Sequence, residues 1–337
     1  MAQPKEALKP LPGAVPAEWT PHKCMWTAWP SAADLWLENL EPARGEVATM
    51  VKLLAEGEKM KVLAHGDDAM ASAKRLLGDS AEIIPGKFGD IWLRDTGPIF
   101  VDPKIAVRFQ TNGWGGKYDL EHDDTVGDEV ANHEQATIQR HNFILEGGAL
   151  EHDGEGTILT TRQCLLNPNR NKGWTERKTE DALKSTLGAR KILWLDDGML
   201  NDHTDGHIDN IARFIGPATV ACQIASGSDD PNARIFEDIA NALSKMTDAA
   251  GRKLNVIGVP SPGRYENEDG DVVPASHMNF IIGNRTVAVP TYGSESAHEA
   301  VKILQSRFIH HRVVGLDSRA VLTGGGSFHC ITQQVPQ

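Results

Sequence analysis

The sequence predicts an α/β fold assembled from repeated units, each a β-hairpin followed by a helix, set radially or stacked around a shared centre. Three observations point there. Short β-rich runs recur in pairs around turn-forming residues, and amphipathic helical patterns lie between the pairs. Residues that can carry chemistry also return at intervals of roughly 50 to 70 positions, at Asp95, Glu146, His207, Asn279 and Cys330. His207-Ile208-Asp209 before one hairpin aligns with His277-Met278-Asn279 at the start of another. An ordinary α+β domain with chance spacing is the competing architecture. No linker or low-complexity stretch divides the chain, which reads as one domain over residues 1–337 with about residues 1–20 as an N-terminal extension.

The elements follow in order. Met1 to Pro16 is polar and proline-rich, with no apolar signal core. Glu46 to Leu54 has helical apolar spacing. Ile99-Phe100-Val101 and Ile105-Ala106-Val107 flank the turn Asp102-Pro103-Lys104, and a helix is expected over Asp128 to Arg140. Ala149 to His152 and Thr157 to Thr160 flank Asp153-Gly154-Glu155-Gly156, before a helix over Thr175 to Leu187. Ile211 to Phe214 and Thr219 to Ala221 flank Gly216-Pro217, before a helix over Asn232 to Ala249. Asn279 to Ile282 and Thr286 to Val289 flank Gly283-Asn284, before a helix over Glu295 to Arg307.

The formal net charge is −12 at pH 7. That argues against a nucleic-acid partner, which calls for a basic patch, and it suits a cationic small substrate. No run is long and apolar enough to span a membrane. The four cysteines, Cys24, Cys164, Cys222 and Cys330, show neither a zinc spacing nor a disulfide framework. A reducing, cytoplasmic setting is expected.

Cys330 follows the run Gly324-Gly325-Gly326, and glycines let backbone approach a bound group closely. It is therefore the candidate nucleophile. Cys222 reads as a core residue, and Cys24 and Cys164 have no activating context. His207 and Asp209, two apart on an expected strand, share one face, and a histidine beside a carboxylate is a candidate acid and base. A metal is the competing use of Asp202, His203, Asp205, His207 and Asp209, whose spacing matches neither HExxH nor a known carboxylate loop. Asp95, in Trp92-Leu93-Arg94-Asp95-Thr96-Gly97-Pro98, and Glu146, before Gly147-Gly148, add carboxylates in glycine-softened turns, although Arg94-Asp95 also reads as a surface ion pair. Several carboxylates beside a thiol fit a guanidinium, a planar permanent cation that pairs with carboxylates in a fork.

From Trp26-Thr27-Ala28-Trp29-Pro30 to Cys330-Ile331-Thr332-Gln333-Gln334, the chain resembles the agmatine deiminases of the guanidine-modifying pentein superfamily. The WLRDTGP segment, Asn112 to Lys117, Glu146-Gly147-Gly148, Leu165 to Asn171 and Thr204 to Asp209 lie between in the expected order. The resemblance implies a five-bladed pseudosymmetric α/β-propeller of ββαβ-type repeats and one catalytic domain. It implies Cys330 as nucleophile, His207 as acid and base, Asp95 and Asp209 as guanidinium-binding carboxylates, Glu146 as a supporting acid and Trp92 as a substrate contact. No metal or organic cofactor is called for. It also implies a homodimer working in putrescine and polyamine biosynthesis. A deiminase of peptidyl-arginine or free arginine is the alternative, and a polyamine-binding protein the non-enzymatic one. The ammonium of agmatine, the substrate that the resemblance implies, suits Asp202, Asp205 and the faces of Trp92 and Trp114, with Asn279 as a further substrate contact.

Overall fold

In the computed structural model, which describes residues 13–337, the strands fall into five separate sheets. Four of them repeat one plan. Two strands joined by a tight turn pair antiparallel, and a helix then crosses over to a third strand that pairs parallel with the second, as a parallel neighbour requires. The first such sheet is β4 (Ile99–Asp102), β5 (Ile105–Gln110) and β6 (Thr137–Ile144), with helix Val126–His133 as the crossover. The next is β7 (Glu151–His152), β8 (Thr157–Thr161) and β9 (Lys191–Leu195), crossed by Glu176–Leu187. Then come β10 (Ala212–Gly216), β11 (Thr219–Ile224) and β12 (Asn255–Pro260), with Ala233–Leu243. The fourth is β13 (Ile281–Ile282), β14 (Thr286–Thr291) and β15 (Arg312–Asp317), with Ala297–Arg307.

The fifth sheet joins the two ends of the chain. Its order is β16-β1-β2-β3, from β16 (Thr332–Pro336), β1 (His22–Ala28), β2 (Met60–Ala64) and β3 (Glu82–Pro85). The antiparallel pair β16 and β1 stands where a hairpin stands elsewhere, and helix Leu40–Leu54 makes the crossover to β2. Five such sheets form the five-bladed propeller-like arrangement, closed by the pairing of its last strand with its first. The candidates that recur along the sequence each precede the first strand of a sheet: Asp95 before β4, Glu146 before β7, His207 and Asp209 before β10, Asn279 before β13 and Cys330 before β16.

Local chemistry sets the boundaries. Thr175 caps helix Glu176–Leu187 by accepting from the Lys178 amide, and Gly188 ends it with φ +65°. The helix expected over Asp128 to Arg140 stops at His133, because Gln135 takes φ +56° and the chain then turns into β6. The helix expected over Asn232 to Ala249 ends at Leu243. Of the expected extension over residues 1–20, residues 1–12 lie outside the described residues. The rest is built into the body: Ala14, Val15, Ala17 and Glu18 are buried, and Val15 donates to the Leu187 carbonyl.

One buried carboxylate ties the sheet that joins the chain ends to the β4-β5-β6 unit. Glu134, between helix Val126–His133 and β6, accepts from Lys23 Nζ at 2.6 Å, Lys61 Nζ at 2.5 Å and Trp26 Nε1 at 2.9 Å. Burial alone would raise its carboxyl, but the bonds from Lys23 and Lys61 bring it down to about 2. Glu134→Ala strands the Lys61 ammonium in a buried site and should lower unfolding free energy by about 3 kcal/mol in urea titrations near neutral pH. The depressed carboxyl stabilises fully above its unfolded value of about 4.3 and loses that contribution as pH falls toward about 2. The gap between wild type and variant should therefore narrow on acidification.

Candidate active site

The strand-leading turns converge on a buried centre opening into a cavity of about 940 Å³. Asp95 sits in the single helical turn Leu93–Thr96. Its Oδ1 accepts from the Gly148 amide at 2.8 Å and its Oδ2 from Trp114 Nε1 at 2.8 Å. Arg94, read as half of a surface ion pair, is buried and donates to Gln334 Oε1 at 2.8 Å and the His329 carbonyl at 3.3 Å. Gly148 must be glycine: a Cβ there would stand 2.7 Å from His207 Nδ1, 2.9 Å from Asp95 Oδ1 and 3.0 Å from Asp209 Oδ2. The same contacts show how closely these three side chains gather.

His207 and Asp209 do not lie on a strand. Residues Ile208–Asn210 form a 3₁₀ turn, and both side chains reach the centre from it because that turn leads into β10. The His207 ring is fully buried, with Nδ1 3.8 Å from Asp95 Oδ2 and Nε2 3.9 Å from Glu146 Oε2. Burial alone would lower its basicity, but Asp95, Cys164 and Glu146 more than reverse that and hold it well above the ordinary histidine value. Glu146 is clamped by Arg170, whose Nε lies 3.0 and 3.1 Å from its two oxygens. Its carboxyl is lowered despite burial, by His207 and Arg170.

Cys330 Sγ accepts from Asn279 Nδ2 at 3.1 Å and lies 3.5 Å from Asp209 Oδ2. Asn279 Oδ1 accepts from the His329 and Cys330 amides at 3.0 and 3.2 Å, so this side chain fixes the loop that carries Cys330. Asp209 Oδ2 also accepts from His329 Nδ1 at 2.8 Å, while its Oδ1 has no partner among the described residues. Burial pushes the Cys330 thiol well above its ordinary value, and Asp209 and Asp95 add to that. Burial likewise raises the Asp95 carboxyl, with Asp209 and Glu146 contributing against the opposing effect of His207.

The cavity reaches from Cys330 and Asp95 past Trp92, Trp114, Trp36 and Tyr118 to a rim holding Glu38, Glu46, Glu266, Glu268 and Asp269. Trp36 and Trp92 stack at 6.2 Å, each donating its indole N–H to one oxygen of Asp90. Asp202 and Asp205, expected at the substrate, are elsewhere. Asp202 accepts from the Thr204 amide and hydroxyl and holds its own turn. Asp205 pairs with Lys117 at 2.7 Å and with Arg170. Both are used up by the connection that carries His207.

Three residues that sequence reasoning passed over support the centre. His329 bridges Asp209 to Glu18, with Nε2 2.9 Å from Glu18 Oε2, and Glu18 pairs with the buried Arg213 at 2.7 Å. Arg170 orients Glu146. The first and last of these lay within motifs, Gly324 to Cys330 and Leu165 to Asn171, but Glu18 carried no signal in a segment taken for an extension. Cys164, read as lacking an activating context, stands against His207. Two groups bring three metal-ligating side chains within 4.8 Å among the described residues: Glu146, Cys164 and His207, and Asp153, Glu155 and Asp248, the last two already paired with Arg252. The five Asp and His residues weighed earlier as metal ligands are not brought together in this way.

Comparison with known proteins gives a consistent set of likenesses. The model of the Porphyromonas-type peptidyl-arginine deiminase family matches residues 14–336. The agmatine deiminase of Stutzerimonas stutzeri (strain A1501) is 35% identical over 349 residues, covering 96% of this chain and 95% of that protein. A solved agmatine deiminase of Enterococcus faecalis superposes with a TM-score of 0.90 at 31% identity, covering 99% of this chain and 100% of that one. A substrate-bound cysteine-to-serine form of the C. jejuni agmatine deiminase gives 0.86 at 27% identity, with 96% of each chain covered.

Proposed function

Because the chain belongs to the Porphyromonas-type peptidyl-arginine deiminase family, with agmatine deiminases as its full-length relatives, we propose that it hydrolyses agmatine to N-carbamoylputrescine and ammonia. The observation that carries the choice of agmatine is the cavity. Its rim is acidic, and its one lining arginine, Arg319, is already paired with Asp317 at 2.6 Å. Arg94 and Arg213, the other basic candidates near the motifs, are buried in internal pairs. A substrate carboxylate therefore finds no free arginine among the described lining residues, whereas an ammonium tail finds carboxylates and indole faces.

In the proposed reaction the guanidinium lies between Asp95 and Asp209, with Asp209 Oδ1 free to accept from it. Its positive charge offsets the repulsion that keeps Cys330 protonated, and the thiol proton passes to water. The thiolate attacks the guanidinium carbon. As the terminal C–N bond breaks, protonated His207 gives its proton to the leaving nitrogen and ammonia departs. An amidino-thioether remains on Cys330. His207 then takes a proton from water, whose oxygen adds to the same carbon. The C–S bond breaks as the proton of the new hydroxyl passes to sulfur, releasing the ureido product and the Cys330 thiol. Alignment by the two carboxylates supplies at best about 7–11 kcal/mol of the barrier reduction. Glu146, held by Arg170, keeps His207 charged and oriented.

The substrate assignment is tested by comparing kcat/KM for agmatine, free arginine and a blocked arginine peptide. Agmatine should lead by at least about 100-fold, roughly 3 kcal/mol, and equal or better turnover of the peptide would refute the assignment. A homodimer and a cytoplasmic location belong to the same proposal, supported by the resemblance and by four free cysteines. No helix of the described residues is long and apolar enough to cross a membrane.

The raised Cys330 thiol gives a second prediction. Iodoacetamide, a neutral reagent, should alkylate the free enzyme with a pH midpoint above about 8.5, the free-cysteine reference, because the group is a thiol until that pH. A cationic amidine reagent should react faster, and added salt should shrink its advantage. A midpoint below the reference would show a resting thiolate and overturn substrate-assisted activation.

A further inference from the structure

We propose that Glu146, Cys164 and His207 form a binding site for a thiophilic divalent cation, zinc(II), whose occupation shuts the enzyme down. The proposal starts from a thiol that the reaction does not use. Cys164 is buried in the helical turn Arg162–Leu165, its amide held by Thr161 Oγ1 at 3.3 Å. It offers its sulfur within 4.8 Å of one oxygen of Glu146 and one ring nitrogen of His207, each of those being within 4.8 Å of the other. Sulfur, imidazole nitrogen and carboxylate oxygen are the donors zinc takes, and a three-residue set leaves one position open.

A second observation points to a ligand. Both ring nitrogens of His207 are buried and have no hydrogen-bond partner among the described residues. Donor atoms around tetrahedral zinc stand about 3.3–3.8 Å apart, given bonds of about 2.0–2.3 Å. Drawing these three together therefore takes about an ångström of side-chain movement. A thiolate and a carboxylate balance the two charges of the ion, and Arg170 keeps Glu146 in place. An ion held here occupies the lone pair that His207 needs to move protons, so the site is inhibitory. The claim that binding inhibits rests on the function proposed for His207, but the binding itself does not.

The test uses the full-length protein carrying Cys330→Ala, so that the nucleophile cannot be the thiol ligand. Titration with cobalt(II) should bind one equivalent and raise a thiolate-to-cobalt charge-transfer band. Competition with a chromophoric chelator should then give the zinc affinity. Adding Cys164→Ser should abolish the band and weaken zinc binding by at least about 100-fold. Glu146→Gln in the same background, which leaves the thiol in place, should keep the band and weaken binding by at least about tenfold. Circular dichroism checks that each variant is folded. A band seen only when Cys330 is present, a band that survives Cys164→Ser, or no metal binding in the Cys330→Ala protein would each overturn the site. If cobalt binds as expected and wild-type turnover of agmatine is unaffected by zinc, the inhibitory role fails.

Discussion

Cys330→Ala should cut ammonia release from agmatine by at least about 10⁴-fold while leaving the protein folded and able to bind substrate. Of the four cysteines, only Cys330 lines the cavity. Without its sulfur no covalent intermediate forms, and direct attack by water on a resonance-stabilised cation is slow. The variant loses two sulfur contacts, from Asn279 Nδ2 and to Asp209 Oδ2, while the Asn279 contacts to the His329 and Cys330 amides persist. Agmatine binding measured by calorimetry should therefore stay within about tenfold of the native value, since Asp95 and Asp209 are untouched. Turnover within about tenfold of native would mean that another group attacks the guanidinium.

Asp209→Asn should lower kcat/KM for agmatine by about 10³-fold and at the same time make Cys330 easier to alkylate. Asp209 touches the Cys330 sulfur and has one oxygen without a partner among the described residues, open to a guanidinium. The amide keeps the shape but removes the charge that holds a planar cation in line. The same charge helps push the Cys330 thiol up. Its loss should move the iodoacetamide midpoint down, so turnover falls while reactivity toward a neutral reagent at pH 7 rises. A merely unfolded or disordered site would not give that opposition in sign with an intact melting transition. Equal losses in both assays would place Asp209 in the scaffold instead of at the substrate.

Much of this architecture can be read from residues close together in the chain. The four hairpins stand out because their turns hold Pro103, Gly154, Gly216 and Gly283 between β-rich runs, which is local information. The parallel strands β9, β12 and β15 each pair with a hairpin strand across a whole helical crossover, a separation that no local pattern reports. The β16–β1 pair joins residues at opposite ends of the chain, which no local pattern reports. The helix read through Arg140 fails for a related reason: apolar spacing continues past His133, but the left-handed Gln135 breaks it.

The site divides along the same line. Cys330, Glu146 and Asp95 are marked by neighbouring glycines that make room for them. Gly148 shows why, since its bare Cα is what lets His207, Asp95 and Asp209 meet. Asp202 and Asp205 carry the same kind of local signal yet serve the turn itself, through Thr204, Lys117 and Arg170. Nothing near Glu18 in sequence announces that it will meet His329 and Arg213 across the centre. Carboxylates that touch ligand and carboxylates that hold loops look alike until the partners are in place.

The central claim is that agmatine is opened through a covalent bond to Cys330, and intact-mass spectrometry of acid-quenched enzyme during turnover tests it most directly. The protein should gain the mass of agmatine less ammonia, one adduct per chain, and peptide mapping should put it on Cys330. The adduct should vanish when agmatine is exhausted. Turnover with no adduct at any quench time, together with an active Cys330→Ala protein, or an adduct carried by a residue other than Cys330, would contradict the account.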